Sequence, residues 1–220
     1  MQMIARWAKL DGAHVLIDGC GVGMYASQIR RRFTPHVEAF DIELERVREA
    51  RLDTPHALVA AAEAIPYPDN TFDTILSHEV IEHVTDDRRT AQEMVRVLKP
   101  GGRIVIFAPN RWYPFETHGH YWRGHYHFGN TPLINYLPDV WRNKLAPHVR
   151  AYTRRGLRAL FDGQPVRVVT HTRIYGGYDN IIARLGAKGR SLRDAIYRLE
   201  STPLNIFGLS HLLVVEKTLE

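Results

Sequence analysis

Short apolar runs alternate with amphipathic stretches through the first half of the chain. Ile4, Trp7 and Leu10 recur at helical spacing and predict a short opening helix. Residues 14–18 form a compact apolar strand that runs into glycines. Residues 24–33 place Tyr25, Ile29 and Phe33 on one helical face. Residues 37–41 are a second strand ending in an acid, and 43–52 a polar helix. Residues 72–77 are a third strand, followed at 79–83 by the start of a short helix. An amphipathic helix over 90–98 stops at Lys99-Pro100-Gly101-Gly102, a turn signal, and 103–108 is a fourth strand. Such alternation implies a parallel sheet with right-handed crossovers and helices on both faces. Ligands bind such sheets outside the carboxyl ends of the strands, where the polar clusters of this chain fall.

The second half is less regular. Residues 111–150 open with seven aromatics in eighteen positions and four closely spaced histidines, the pattern of an insertion. Strands follow at 166–175 and 211–216. Between them Ser191 is placed to cap a helix, with Asp194 three residues on and Leu192, Ile196 and Leu199 facing inward. The chain reads as one domain over 1–220, with an aromatic and histidine-rich lid at 111–150 and a helical insertion at 176–208.

Composition narrows the class. The chain has 220 residues, 45% hydrophobic and 24% charged, as in ordinary globular proteins. No apolar run approaches the ~20 residues of a spanning helix, and the first residues lack the apolar core of a signal peptide. Cys20 is the only cysteine, which excludes an internal disulfide framework and a cysteine-based zinc cluster. A cytoplasmic location is expected. The net charge of +5 conceals an asymmetry, −3 over residues 1–110 and +8 over 111–220. A basic half attracts phosphate, nucleic acid or an anionic membrane.

The segment from Val15 to Gly23 ends a strand, turns on Gly19, Gly21 and Gly23, and opens a helix. Glycines let a ligand approach the backbone, and a helix N-terminus favours an anion. A dinucleotide loop, G-x-G-x-x-G, requires glycine at 24, where Met24 stands; the spacing here is G-x-G-x-G. In this it resembles the class I S-adenosylmethionine-dependent methyltransferase family. Further segments match in order: AAAEAIPYPDNTFD at 60–73, SHEVIEHV at 77–84 and LKPGGRIVI at 98–106. The resemblance covers roughly 13–110 and is similar to the quinone and lipid branch. It implies an α/β, Rossmann-like, doubly wound and mostly parallel seven-stranded sheet whose last strand is antiparallel. It also implies S-adenosylmethionine as cofactor, held by Asp18, Gly19, Cys20, Gly21, Gly23, Asp41, Ile42, Ala62, Glu63 and Ser77.

Within that set, Asp41 takes the ribose hydroxyls, with capping of the next helix as its bland alternative. Two positions depart from the family pattern. The acid of the first motif aligns with Ile17, and this chain carries Asp18 next door. The adenine-contacting acid falls on Ala61, leaving the Ala62 amide and the Glu63 side chain to substitute.

Methyl transfer from a sulfonium needs little beyond orientation, so no obligatory catalytic signature is expected. His78 and His120 are the candidate bases. Trp112, Tyr113, His118, Trp122 and His125 are the candidate acceptor contacts, and no metal is expected. The H-x-H pairs at 118–120 and 125–127 suit a metal, but the chemistry does not require one. The expected acceptor is a small or lipid-like molecule methylated on oxygen. The basic half suggests peripheral contact with an anionic membrane, Arg184, Lys188, Arg190, Arg193 and Arg198 resting on headgroups. Nucleic acid is the less expected partner. The competing readings are an RNA methyltransferase and a non-catalytic relative that binds the cofactor.

Overall fold

The apolar runs of the first half become strands of one sheet in the computed structural model, which describes residues 1–219, with side chains throughout except at 179–181. The elements follow in order: α1 (Gln2–Trp7), β1 (Val15–Asp18), α2 (Met24–Arg32), β2 (Val37–Asp41), α3 (Leu44–Ala50), β3 (Ala57–Val59), β4 (Phe72–His78), α4 (Asp87–Val97) and β5 (Leu98–Pro109). Then come β6 (Phe115–Glu116), β7 (His120–Trp122), β8 (His125–His127), β9 (Thr131–Pro132), α5 (Asp139–Leu145), α6 (Arg154–Ala159), β10 (Val166–Ile174), α7 (Asp179–Leu185), α8 (Ala187–Tyr197) and β11 (Ser210–Lys217). The chain divides into two compact units. One comprises residues 1–107, 158–170 and 213 onward; the other comprises 108–157 and 171–212. The segments read as a lid and a helical insertion fall almost wholly in the second unit.

The first unit holds a seven-stranded sheet in the order β10-β11-β5-β4-β1-β2-β3, parallel but for the antiparallel last strand. Every residue of β1 is buried, because helices cover both faces of a parallel sheet. Val15, Leu16 and Ile17 pack with Ile75, Leu76, Ile104 and Val105 of the neighbouring strands, all at most 3% exposed. The register pairs Asp18 with Phe40 on one side and Ser77 on the other. Asp18 and Ser77 are therefore level at the strand ends, with Asp41 one residue beyond on β2.

Local detail departs from the sequence reading in several places. The three residues of β3 escaped it, because a strand so short, half open at Val59, shows no periodicity. The 99–102 turn lies within β5, where the register jumps from Phe72↔Leu98 to Thr74↔Arg103. It is a bulge, and Gly102 is required there: a Cβ would sit 2.9 Å from the Lys99 carbonyl oxygen. Helix α4 begins three residues earlier than the periodicity predicts, since the Asp86 carboxylate accepts the Arg89 N–H at 2.9 Å. Residues 79–83 form turns, not the start of a helix.

The second unit is built differently. β7 and β8 form a hairpin across Arg123 and Gly124, both at positive φ (49° and 82°), a twist that suits tight antiparallel pairs. β6 pairs with β9. Its centre is charged: Arg142, 1% exposed, donates to Glu116 Oε2 at 2.8 Å and to the Val149 carbonyl at 2.9 Å. Burial would raise the Glu116 pKa, but hydrogen bonds from His118 and the Arg142 charge hold it below the ordinary range. Elsewhere in the unit a buried pair, His171 Nε2 and His211 Nδ1, lies 3.0 Å apart, with His211 Nε2 on the Tyr152 carbonyl at 2.9 Å. Burial pushes His211 down to about 4, so it is neutral. The helix expected to start at Ser191 starts at Ala187, with Ser191 inside it. Leu192 is not inward; it is 46% exposed, and Ile196 and Leu199 are half-buried. Among the described residues no helix is long and apolar enough to cross a membrane.

The Glu116–Arg142 pair yields a stability prediction. Glu116→Ala leaves a buried guanidinium uncompensated and is expected to cost about 3–5 kcal/mol in chemical denaturation. Replacing both partners by Leu and Met is expected to cost far less. Equal losses in the two variants would mean that the charge pairing is not what Glu116 supplies.

Candidate active site

The carboxyl end of β1 passes into three glycines, each at positive φ for its own reason. At Gly19 a side chain would collide with Val80, and at Gly23 a Cβ would lie 3.0 Å from the Ala50 backbone. At Gly21, φ +53°, a Cβ would meet nothing within 4 Å. The first and last glycines thus close the turn against the fold, and the middle one faces open space. The Gly21 N–H donates to Asp41 Oδ2 at 2.8 Å, and the Glu43 N–H donates to Asp41 Oδ1 at 3.0 Å. One carboxylate at the end of β2 therefore holds the loop and starts α3. Each of its oxygens keeps a further lone pair.

Beside this loop the first unit opens a pocket of about 860 Å³. Asp18, Gly19, Asp41, Ile42, Ala62 and Glu63 line it, with Ala61 between them. Cys20, Gly21, Gly23 and Ser77, also expected to hold the cofactor, are not among its lining residues. Asp18 is 1% exposed, and among the described residues neither carboxylate oxygen has a hydrogen-bond partner. Burial first, then the neighbouring Asp41 and Glu63 charges, push its carboxyl up to about 7. The Ser77 hydroxyl, level with it on β4, works against that shift without completing a hydrogen bond. Glu82 is also raised, by burial and then by Glu79. Such a cluster of carboxylates favours a cationic ligand. Glu63 is tied to the loop before α4, where its Oε1 accepts the Thr85 N–H at 2.7 Å and the Asp86 N–H at 3.2 Å.

Sequence reasoning passed over several lining residues. Glu79 follows the β4 strand end at φ +55°, rare for a residue with a side chain, and its N–H donates to the Phe107 carbonyl at 3.0 Å. Arg46 and Arg89 add cations to the rim, and Phe40 an apolar wall. A strained backbone leaves no mark in periodicity, and Arg46 reads as one more charge on a polar helix.

His78 does not line the pocket. Its ring sits between Tyr25 and Phe107, centroids at 4.8 and 4.9 Å, with Nε2 3.2 Å from the Tyr25 hydroxyl. Burial lowers its pKa, so the imidazole is neutral near pH 7. The acceptor candidates all lie in the second unit. His120 Nδ1 is 3.1 Å from the Thr131 hydroxyl, and its ring stacks on His127 at 5.3 Å. His118 Nδ1 lies 3.3 Å from Glu116. Trp122 and His125 pair across the hairpin and are exposed. Trp112 is 44% exposed, and Tyr113 is half-buried.

The methyltransferase domain family matches residues 17–106, the segment that builds this pocket. Residues 17–106 are a methyltransferase domain of the S-adenosylmethionine-dependent class. The chain is 29% identical over 147 residues to the 2-methyl-6-phytyl-1,4-hydroquinone methyltransferase of Synechocystis, covering 63% of this chain and 44% of that protein. It is 36% identical over 111 residues to the ubiquinone/menaquinone biosynthesis C-methyltransferase UbiE of Geobacter sulfurreducens, covering 46% and 43%. It thus spans less than half the length of these two relatives. An S-adenosylmethionine-dependent methyltransferase structure from Mesorhizobium loti superposes with a TM-score of 0.69 at 16% identity, covering 98% and 96% of the two chains. At that identity the likeness shows the fold.

The residues of this methyltransferase domain fit the cofactor. The orphaned Asp18 carboxylate suits a cation, and S-adenosylmethionine carries a sulfonium and an ammonium. The open space at Gly21 leaves room for its approach, and Asp41 retains lone pairs for hydroxyl donors.

Two predictions follow from this geometry. Saturating S-adenosylmethionine, at about a hundredfold its Kd, should stabilise the protein by about 2.7 kcal/mol, or roughly 5–11 °C in Tm. Gly21→Val should abolish that shift, and Asp41→Ala should weaken binding by about 1.5–3 kcal/mol in calorimetry. A full shift in both variants would remove the loop from cofactor binding.

The second prediction concerns pH. Asp18 titrates at about 7 in the cofactor-free protein. A cationic ligand needs the carboxylate, so affinity should fall as pH drops below 7, by up to tenfold per unit. Stability moves the other way: the folded form holds this proton more tightly than the unfolded chain. The group's contribution is therefore full below pH 3.8 and lost as pH rises through 7. Asp18→Asn should flatten both profiles; unchanged profiles would assign the titration elsewhere.

Proposed function

We propose that the chain transfers the methyl group of S-adenosylmethionine to an oxygen of a small, lipid-like aromatic acceptor of the hydroquinone class. The observation that carries the methyl-donor part is the orphaned Asp18 carboxylate beside the glycine loop and Asp41. The acceptor class rests on the relatives, one a methyltransferase of a phytyl hydroquinone and one a methyltransferase of quinone biosynthesis. The aromatic segment 111–129, which continues directly from β5, supports the same class, because flat rings pack on flat rings.

Bound S-adenosylmethionine supplies an electrophilic methyl on a good leaving group. What the chain adds is orientation and proton management. A phenolic oxygen becomes a far better nucleophile as its proton leaves, so a neutral imidazole is the group to look for. His78 is neutral because it is buried, and its Nε2 already engages a phenolic hydroxyl, that of Tyr25. His120 is the second candidate. Trp112, Tyr113, His118, Trp122 and His125 are assigned to acceptor recognition. A second reading, transfer to a ring carbon, is favoured by the C-methyltransferase relative. It needs less of a base, since the ring itself is activated by its hydroxyls.

The test is methyl transfer from labelled cofactor to a soluble short-chain hydroquinone, with RNA as a second substrate arm and the product's methyl position read by NMR. An O-methyl product supports the first reading and a ring-methyl product the second. Label on RNA alone overturns both. Among single alanine variants at 118, 120, 122, 125 and 127, a base histidine should lower kcat by about 10²–10⁴-fold. An aromatic contact should act mainly on KM. Cofactor affinity should stay unchanged throughout. Full activity in all five would take acceptor recognition away from this segment.

A further inference from the structure

The segment 182–207, which holds the end of α7, all of α8 and the turns that follow, shows an unusual exposure. Gly189 is the one residue before Ser191 that is buried, and none from 191 to 207 is. Several of its apolar side chains stand largely in solvent. Leu185 is 53% exposed, Leu192 46%, Leu204 49% and Phe207 41%. Leu192 and Ile196, at i and i+4 of α8, share one helical face. Leaving large apolar groups in water forgoes burial that a chain ordinarily takes.

Cations surround them. The segment carries five Lys and Arg against two acids. Both acids are engaged: Asp194 with Arg193 at 2.8 Å, and Glu200 Oε1 with the Tyr175 N–H at 2.8 Å. Arg184, Lys188, Arg190 and Arg198 are exposed and make no ion pair among the described residues. Solvated segments ordinarily mix signs, whereas this one interleaves cations with exposed leucines and a phenylalanine, and Lys188 lies one turn before Leu192 on the same face of α8. We infer that residues 182–207 form a docking surface for an anionic lipid bilayer, the apolar side chains entering the acyl boundary and Arg184, Lys188, Arg190 and Arg198 meeting lipid phosphates. Neither half of the contact suffices alone. A few leucines partition weakly, and a few cations are screened by salt; together they hold a surface at an interface. A protein partner would pair the leucines as well, but it would need a matching acidic rim. A membrane presents apolar interior and phosphate layer side by side.

The inference stands apart from the identity of the methyl acceptor, and its test does not use activity on a lipid. The whole chain is floated with vesicles of phosphatidylcholine alone, or with about 30% phosphatidylglycerol, at about 50 and 500 mM salt. Flotation with the anionic vesicles only, lost at high salt, is expected. Lys188→Glu with Arg190→Glu should lower binding by roughly tenfold or more. Leu192→Ser with Phe207→Ser should lower it at the low salt, where the unmodified chain binds. All variants should keep the cofactor-induced Tm shift and normal turnover of a soluble acceptor, which separates loss of docking from loss of fold or of methyl transfer. No flotation of the unmodified chain, or flotation of the charge-reversed variant at the original level, overturns the inference. So does a dimer that Leu192→Asp dissociates in a chain that ignores vesicles; that result would make a second copy the occupant.

Discussion

The Asp41 carboxylate is the constraint on which the rest of the site depends. It accepts the Gly21 N–H with one oxygen and the Glu43 N–H with the other, so the turn after β1 and the start of α3 are tied to a single side chain. A glycine loop is otherwise the most mobile element a fold offers, because glycine restricts its own backbone least. Here the loop is held by that hydrogen bond, and Val80 and Ala50 stand so close to Gly19 and Gly23 that neither position has room for a side chain. What remains open is the face at Gly21. An SN2 transfer gains most from a donor that cannot wander, and a preformed cradle meets that need before the ligand arrives.

Asp18 gives the site its electrostatic sign. A carboxylate buried without a partner opposes folding, and a pKa near 7 is how that opposition appears. The family places its acid one residue earlier, and strand side chains alternate faces, so the displaced acid would be expected to turn away from the ligand. It does not, because β1 ends at Asp18 and the chain is already bending into Gly19. At a strand's last residue the two-residue period no longer dictates direction, and Asp18 stays on the pocket wall.

Legibility followed sequence separation and periodicity. The strand–helix order, the sheet and the glycine turn with its acid at the end of β2 were readable because each rests on a local pattern: an apolar run, a glycine spacing, an acid about twenty residues on. β3 was too short to show a period. The 99–102 bulge looked like a turn because Pro and Gly serve both. Glu79 was missed because its φ depends on what β5 does beside it. In the second half the organising contact, Arg142 with Glu116, joins residues 26 positions apart and is charged, where charge in sequence reads as surface. Leu192, Ile196 and Leu199 have the spacing of a buried stripe, and spacing alone does not say whether a protein core or something else receives it.

That contrast bears on why similarity to known methyltransferases concentrates in residues 17–106. The cofactor is the same molecule in every member of the class, so the strand ends that hold it answer to one fixed shape. A closely packed apolar sheet is also intolerant of volume changes, which keeps its sequence recognisable. The second unit is under neither constraint. A buried ion pair specifies geometry through two side chains and leaves the surrounding positions free to vary, and exposed hairpins and helices contribute little to the core. Change in those parts alters what the protein meets without disturbing how it holds the donor. A basic, leucine-bearing helix is then a property of this chain, to be read from its own residues and not from its family.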